Sequence, residues 1–121
     1  MSQRISARAQ NRFAWTAYLA GREPGGDGVS AYAVPARAAD LAGLPPTYLS
    51  CGALDLFADE NMQYARRLVA AGVPTELHIY PGAFHGYEFA AQARVSIASE
   101  RERRVALARA FGISLGAEVN A

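Results

Sequence analysis

The spacing of apolar residues along the chain predicts three helices and two strands. Apolar side chains recur every three or four positions in three segments, and the second of these opens with acidic residues and ends at Gly72 and Pro74, as is typical of helices. Two shorter segments are rich in β-branched and aromatic residues and are bounded by proline and glycine, as is typical of strands. The predicted helices lie within residues 7–21, 59–74 and 93–112, and the predicted strands within residues 47–53 and 75–82.

Each predicted helix has one apolar face, which is the side that packs in a globular protein. These faces consist of Phe13, Ala17 and Ala20 in the first helix, Met62, Ala65, Leu68 and Val69 in the second, and Val105, Ala108 and Phe111 in the third. Residues 22–46 contain too much glycine and proline for regular structure, apart from a short turn at 38–42, and so predict a long loop. Long loops in compact domains usually line a site or are mobile.

A strand, a helix and a second strand with short connections predict a βαβ unit in which the two strands are parallel. The fold class is therefore α/β, with further helices on its flanks. A parallel sheet needs cover on both faces and neighbours on both edges, yet only two strands are predicted. The chain thus resembles one end of a larger sheet, and its unpaired edge leaves association into a homo-oligomer open.

Composition and charge exclude several classes of function. The chain has 121 residues and a net charge of +1, which predicts one globular domain at most and does not indicate a nucleic-acid partner. The single cysteine, Cys51, excludes an internal disulfide framework and suits a reducing compartment. No segment has the apolar length of a signal peptide or a membrane span, so the sequence predicts a cytoplasmic protein without a membrane partner.

Candidate chemistry lies in the loops that follow the two predicted strands. Asp55 follows the first strand and His85 the second, and parallel strands deliver both residues to the same edge of the sheet. A carboxylate beside an imidazole fixes its tautomer and stabilises the imidazolium, which is the supporting pair of a nucleophilic hydrolase. By spacing alone, a structural hydrogen bond between the two residues is an equal alternative.

The segment "LPPTYLSCGALDLFADENMQYARRLVAAGVPTELHIYPGAFHGYEF" closely resembles the C-terminal part of the α/β-hydrolase fold, in the hormone-sensitive-lipase-like branch of carboxylesterases. The resemblance implies that Asp55, in "DLFADE", and His85, in "HGY", are the catalytic acid and base of a Ser-His-Asp triad. It also implies a small-molecule carboxylic ester as substrate, with a short or medium acyl chain, and no cofactor. Four aromatic residues could line an acyl pocket by the same resemblance, although aromatic residues at helical spacing more often belong to the core: Phe13, Trp15, Tyr18 and Tyr32.

The serine that the resemblance implies should lie before Asp55 on a G-x-S-x-G elbow, and no such elbow is present there. Ser30, in "GVSAY", has Tyr32 in place of the second glycine. Ser114, in "GISLG", matches the string, but it follows a helix, and Gly112 fits a helix C-cap better. The histidine-led glycine run that forms an oxyanion hole is also absent from the sequence.

Other candidate residues favour structural roles. Cys51 lies at the end of the strand that already delivers Asp55, and this position favours a small buried side chain rather than a nucleophile. Asp59 and Glu60 open a helix, where acidic residues stabilise the dipole. His78 lies in mid-strand, and two histidines without a cysteine or carboxylate cluster at ligand spacing predict no metal site.

Three hypotheses follow from these residues. In the first, residues 1–121 are a single C-terminal fragment of an α/β-hydrolase domain, with a helix and long loop in 1–46 and the βαβ unit and terminal helix in 47–121. The serine of this esterase would lie upstream, and the chain alone would be inactive. In the second, the chain is a non-catalytic hydrolase derivative that binds a small molecule or a partner subunit. In the third, it is an active enzyme that uses Ser114 or Cys51.

Overall fold

The order of elements in the computed structural model is helix, loop, strand, helix, strand, helix, as predicted. The structure describes residues 2–115, with side chains from residue 8 onward. The main elements are α1 Ser2–Tyr18, β1 Thr47–Gly52, α2 Ala58–Ala70, β2 Thr75–Tyr80 and α3 Arg94–Phe111. Two single turns of 3₁₀ helix lie at Pro35–Arg37 and Tyr87–Phe89.

The two strands form a parallel pair with α2 between them in the chain. Thr47 pairs with Thr75 and Gly52 with Tyr80, so the strands run side by side over their whole length. The predicted βαβ unit is therefore confirmed. Parallel pairing also places the carboxyl ends of both strands, and the loops that follow them, at the same edge of the sheet.

The helix α2 is held against the sheet by a small apolar core. Leu68 is fully buried and packs with Leu41 of the long loop and Val73 of the α2–β2 connection, while Leu49 of β1 is packed against this cluster. Gly72 has a φ of 78°, a left-handed conformation that glycine adopts without steric cost, and it turns the chain from α2 into β2. The core thus joins β1, α2, the α2–β2 connection and the loop that precedes β1.

The predicted helix faces are partly wrong. In α2, Ala65 and Leu68 are buried as predicted, but Met62 and Val69 are exposed. Phe13 and Ala17 of α1 and Val105 and Phe111 of α3 are also exposed, whereas Leu19 just after α1 and Ala106 of α3 are buried. The physical reason is that a two-stranded sheet covers only a narrow strip of α2 and of α3, while α1, within the described residues, has no extensive contact with either strand. The wider apolar faces read from the sequence are therefore not fully covered.

The loop before β1 also differs in detail from the prediction. Its regular turn lies at Pro35–Arg37, because proline fixes a helical φ at the first position of the turn. Within 38–42, where the sequence predicts a short turn, the side chain of Asp40 accepts a hydrogen bond of 2.8 Å from the backbone N–H of Ala42. This contact is an Asx turn, which a side chain rather than the backbone closes.

A polar cluster joins β2 to α3. Glu76, His78 and Tyr80 project from the same face of β2, and the His78 ring lies between two carboxylates, with Nε2 2.8 Å from Glu76 and Nδ1 3.1 Å from Glu102. The Tyr80 hydroxyl donates a hydrogen bond to Glu102, and Arg109 pairs with Glu76. His78 is therefore a structural residue that connects the sheet to α3, as its mid-strand position predicted.

Replacing Glu76 with glutamine is expected to destabilise the fold at neutral pH but not in acid. Hydrogen bonds from His78 and Arg109 hold the pKa of Glu76 below its usual value. Its contribution to stability is therefore fully present above the ordinary glutamate pKa of about 4.3 and is lost as the pH falls through the lower folded-state pKa. Since the Glu76 side chain is 37% exposed, screening limits the expected loss to roughly 0.5–1 kcal/mol.

Urea unfolding of the parent and Glu76→Gln at pH 7 and at about pH 2 measures this difference, because the carboxylate loses its charge far below the ordinary glutamate pKa of about 4.3. Glu23→Gln, an exposed glutamate of the long loop, is the matched control and should leave the free energy of unfolding unchanged. An equal loss at both pH values would contradict the electrostatic role of Glu76.

Within the described residues each strand has one unpaired edge, and β1 forms one of these two edges of the sheet. The N–H of Thr47 donates to Pro74 O and that of Ala53 to Tyr80 O, so the backbone groups of Tyr48 and Ser50 point away from β2. Within residues 2–115, β1 pairs with β2 alone. Association of copies through this edge stays a prediction.

Among residues 2–115, each helix is too short or too polar to cross a bilayer.

Candidate active site

The loops that carry Asp55 and His85 touch each other directly. The N–H of Ala53 donates to Tyr80 O and that of Leu54 donates to Ala83 O, each at 2.9 Å. Gly52 makes this approach sterically feasible, because a Cβ at this position would lie 2.3 Å from Ala83 O. Glycine at the end of β1 therefore allows the two loops to join through their backbones.

The Asp55 carboxylate is oriented by its own loop. One oxygen, Oδ1, accepts a hydrogen bond of 2.9 Å from the N–H of Phe57, which is a local turn that leads into α2. The other oxygen, Oδ2, lies 3.0 Å from Nδ1 of His85. The Asp55 side chain is only 9% exposed, so its geometry is well constrained.

The His85 ring is held on one side and open on the other. Gly86 follows it with a φ of 79° and starts the turn Tyr87–Phe89, whose first residue, Tyr87, is buried against Tyr80 and Ala83. The ring of Phe57 packs edge-on against the imidazole with centroids 5.6 Å apart. The His85 side chain is nevertheless 73% exposed, and among residues 8–115 its ring hydrogen-bonds only to Asp55.

A cavity of about 650 Å³ lies beside this pair. Its lining includes Asp55, His85, Cys51, Tyr64 and Gly86. Because Asp55 occupies Nδ1, the imidazole is oriented with Nε2 as the nitrogen that can accept a proton from a group in the cavity. The two residues predicted from the strand ends are thus together in one cavity, in the relative geometry of a general base and the carboxylate that orients it.

Cys51 lines the cavity but is poorly suited to be a nucleophile. It is buried at the end of β1, and burial together with the nearby Asp55 carboxylate raises the pKa of its thiol. The thiolate is the reactive form of cysteine, so both effects oppose nucleophilic attack. The prediction of a small buried side chain is confirmed.

Of the other candidate residues, Glu60 lines the cavity at His85, whereas Ser30, Asp59 and Ser114 do not. Ser30 is exposed in the long loop, where its hydroxyl accepts a hydrogen bond of 3.2 Å from the N–H of Tyr32. Ser114 is exposed beyond the end of α3, and Gly112, with a φ of 64°, caps that helix as predicted. Gly116 of the same motif lies outside the described residues. Asp59 and Glu60 lie in the first turn of α2, as expected of acidic residues that stabilise a helix N-terminus.

The four aromatic residues considered for an acyl pocket do not line the cavity at His85 in the part of the chain that the structure describes. Phe13, Tyr18 and Tyr32 are exposed, and Trp15 lines a different cavity. Across residues 8–115, no three side chains of the types that bind metals lie together.

Phe57 is the residue of this site that the sequence analysis missed. Its N–H binds Asp55 and its ring contacts His85, and Asn61 Nδ2 in turn donates to Phe57 O at 3.0 Å. The sequence does contain a signal for this role, because Phe57 follows an aspartate by two residues at the start of a helix. Aspartate side chains commonly accept a hydrogen bond from the backbone N–H two residues on.

Comparison with known proteins agrees with this architecture. A family model described as alpha/beta hydrolase fold matches residues 2–89. Esterase LipI of Mycobacterium tuberculosis strain ATCC 25618 / H37Rv is 43% identical over 53 residues, which is 44% of this chain and 17% of the relative.

Two solved structures are similar to the chain over a larger share of its length. Esterase LipW from Mycobacterium marinum has a TM-score of 0.73 and 45% identity, over 80% of this chain and 30% of that one. A bacterial heroin esterase has a TM-score of 0.71 and 49% identity, over 74% of this chain and 28% of that one. The chain therefore spans less than a third of the length of these relatives. The resemblance to the hormone-sensitive-lipase-like carboxylesterases is confirmed, and the chain belongs to the α/β-hydrolase family.

Proposed function

We propose that the chain contributes the acid and the base of a Ser-His-Asp triad to a carboxylic ester hydrolase. The observation that carries this proposal is the 3.0 Å contact between Asp55 Oδ2 and His85 Nδ1 beside an open cavity. The relatives reported above, which are all named as esterases, support the same reaction class. The substrate is a small carboxylic ester with a short or medium acyl chain.

In the proposed reaction, Nε2 of His85 removes the proton from a serine hydroxyl as that oxygen attacks the ester carbonyl. Asp55 stabilises the imidazolium that forms and keeps the ring in the correct tautomer. The imidazolium then returns the proton to the leaving alcohol, and a water molecule repeats the sequence to release the acid. General acid–base transfer of this kind contributes about 10²–10⁴-fold to the rate.

The nucleophile is proposed to come from a part of the hydrolase fold that the chain does not span. The support is that the chain matches 17% of esterase LipI and 30% of esterase LipW, and that no G-x-S-x-G elbow precedes Asp55 in the sequence. On this view, residues 1–121 form one C-terminal part of the domain. The free edge of β1 suits this view, because an interior strand of a parallel sheet has neighbours on both sides.

The test compares the chain alone with a chimera. The chimera carries the chain in place of the matching region of the Mycobacterium marinum esterase, behind the N-terminal part of that enzyme. With a chromogenic short-chain ester, the chain alone is expected to show no hydrolysis that depends on His85. The chimera is expected to be active and to lose at least about 10³-fold in kcat on His85→Ala.

Ser114→Ala is the control in both proteins and should leave the rates unchanged. Hydrolysis by the chain alone that disappears on His85→Ala would show a nucleophile within these residues and would contradict the division of the triad. A chimera with native-like circular dichroism and no activity would contradict the catalytic role of the Asp55–His85 pair.

A further inference from the structure

A second cavity, distinct from the one at His85, lies between α1, the long loop and α2. Its volume is about 340 Å³, at the lower end of the range for small-molecule sites. Four apolar side chains form much of its wall: Trp15, Leu19, Val29 and Val34. Neither Asp55 nor His85 lines it, although Glu60 and Tyr64 of α2 stand in the wall between the two cavities.

Two arginines also line this second cavity. Arg37 donates a hydrogen bond of 2.8 Å to Gly26 O, and Arg67 donates to the carbonyl oxygens of Ala36 and Ala38. The Arg67 bonds hold the loop against α2, and the Arg37 bond joins two parts of the loop itself. Neither arginine charge is compensated by these bonds, because carbonyl groups are neutral. Within residues 8–115, no carboxylate lies within 4 Å of either guanidinium.

We propose that this second cavity binds an amphipathic monocarboxylate, with its apolar chain against Trp15 and Leu19 and its carboxylate at Arg37 and Arg67. Guanidinium groups bind carboxylates through charge-assisted hydrogen bonds, which are about twice as strong as neutral ones. Each arginine has five N–H donors, so the bonds to the loop leave donors for a ligand. Glu60 is the one carboxylate among the residues lining the cavity, so the lining carries a net positive charge. The proposal concerns binding by this chain and does not depend on the proposed hydrolase activity.

Trp15 makes the proposal directly measurable, because it is the single tryptophan of the chain and lines the cavity. Its fluorescence is followed while the purified chain is titrated with octanoate, octanol or octylammonium. We expect saturable binding of octanoate, about tenfold weaker binding of octanol, and weaker binding still of octylammonium. Equal affinity for octanoate and octanol, or no saturable change with octanoate, would overturn the proposal.

Two arginine substitutions then test whether the charge of the cavity, rather than its shape, determines the affinity for octanoate. Arg37→Gln and Arg67→Gln should each lower the octanoate affinity severalfold and leave the octanol affinity unchanged, while Arg109→Gln, outside the cavity, should change neither. Glu60→Gln should strengthen octanoate binding, because it removes a like charge. Octanoate affinity that is unaffected by both cavity arginine substitutions would overturn the proposal.

A substitution that weakens octanoate and octanol alike would have damaged the cavity itself, because both arginines also hold the loop. In that case, the salt dependence of ligand binding to the parent chain tests the proposal. Raising the ionic strength from about 20 mM to about 500 mM should remove much of the preference for octanoate over octanol, because added salt screens the arginine charges. A preference that does not change with salt would contradict recognition of the carboxylate by arginine.

Discussion

Asp55→Asn is expected to lower kcat of the chimeric esterase by about 10⁴-fold with little change in KM, the size of effect seen when the triad aspartate of a serine protease is replaced by asparagine. The physical reason lies in the two hydrogen bonds of this carboxylate. Oδ1 is already occupied by the N–H of Phe57, so Oδ2 is the oxygen that receives His85 Nδ1. An amide at this position can present its NH₂ group to His85, which favours the opposite tautomer and leaves no charge to stabilise the imidazolium.

Asp59→Asn is the matched control for this substitution. Asp59 lies four residues further along, on an exposed position of the first turn of α2, and accepts a hydrogen bond of 2.9 Å from Gln63. Its replacement should leave kcat within about twofold of the parent, since exposed helix positions tolerate substitution. If Asp59→Asn removed the activity and Asp55→Asn did not, the carboxylate of the triad would belong to α2, and the assignment of Asp55 would be wrong.

Gly52→Ala is expected to destabilise the fold and to separate the two loops that form the site. The added Cβ would lie 2.3 Å from Ala83 O and 2.6 Å from Ala83 C, which are backbone atoms that cannot move aside by a change of rotamer. Relief of the clash requires one loop to shift, and this shift breaks the hydrogen bond from Leu54 N to Ala83 O. Overpacking of this kind costs about 1–3 kcal/mol, a large part of the stability of a small domain.

Urea unfolding of the isolated chain measures the loss in stability, and the NMR signals of the His85 ring report whether Asp55 still contacts it. Gly28→Ala is the control, because a Cβ at Gly28 meets nothing within 4 Å and Gly28 has no positive φ. We expect the control to unfold at the parental urea concentration. A Gly52→Ala chain with parental stability and unchanged His85 signals would show that the loop crossing is not tight in solution.

The sequence predicts the elements well because their signals are local. Acidic residues and glycine bound α2, and proline and glycine bound β1, so the order and the parallel pairing follow without knowledge of distant contacts. The juxtaposition of Asp55 and His85 could likewise be expected from strand direction alone. The 3.0 Å contact itself could not, because it depends on how loop 53–57 and loop 81–86 cross at Gly52.

The helix faces were harder to predict, because hydrophobic periodicity shows which residues can be buried and not which are covered. Met62 and Val69 fit the apolar face of α2 and are exposed, since the narrow sheet does not reach them. The second cavity could not be predicted either. It depends on Arg67 of α2 binding the carbonyl groups of a loop about thirty residues earlier, a tertiary contact without a signal in the local pattern.

The position of Asp55 and His85 within one βαβ unit has a consequence for folding. The two residues are 30 positions apart, and the strands that carry them are joined by a single helix. Elements joined by short chain segments meet rapidly, because the entropy of closing a loop grows with its length. The acid–base pair should therefore assemble early during folding, and a nucleophile supplied by another part of the fold would meet a pair that is already formed.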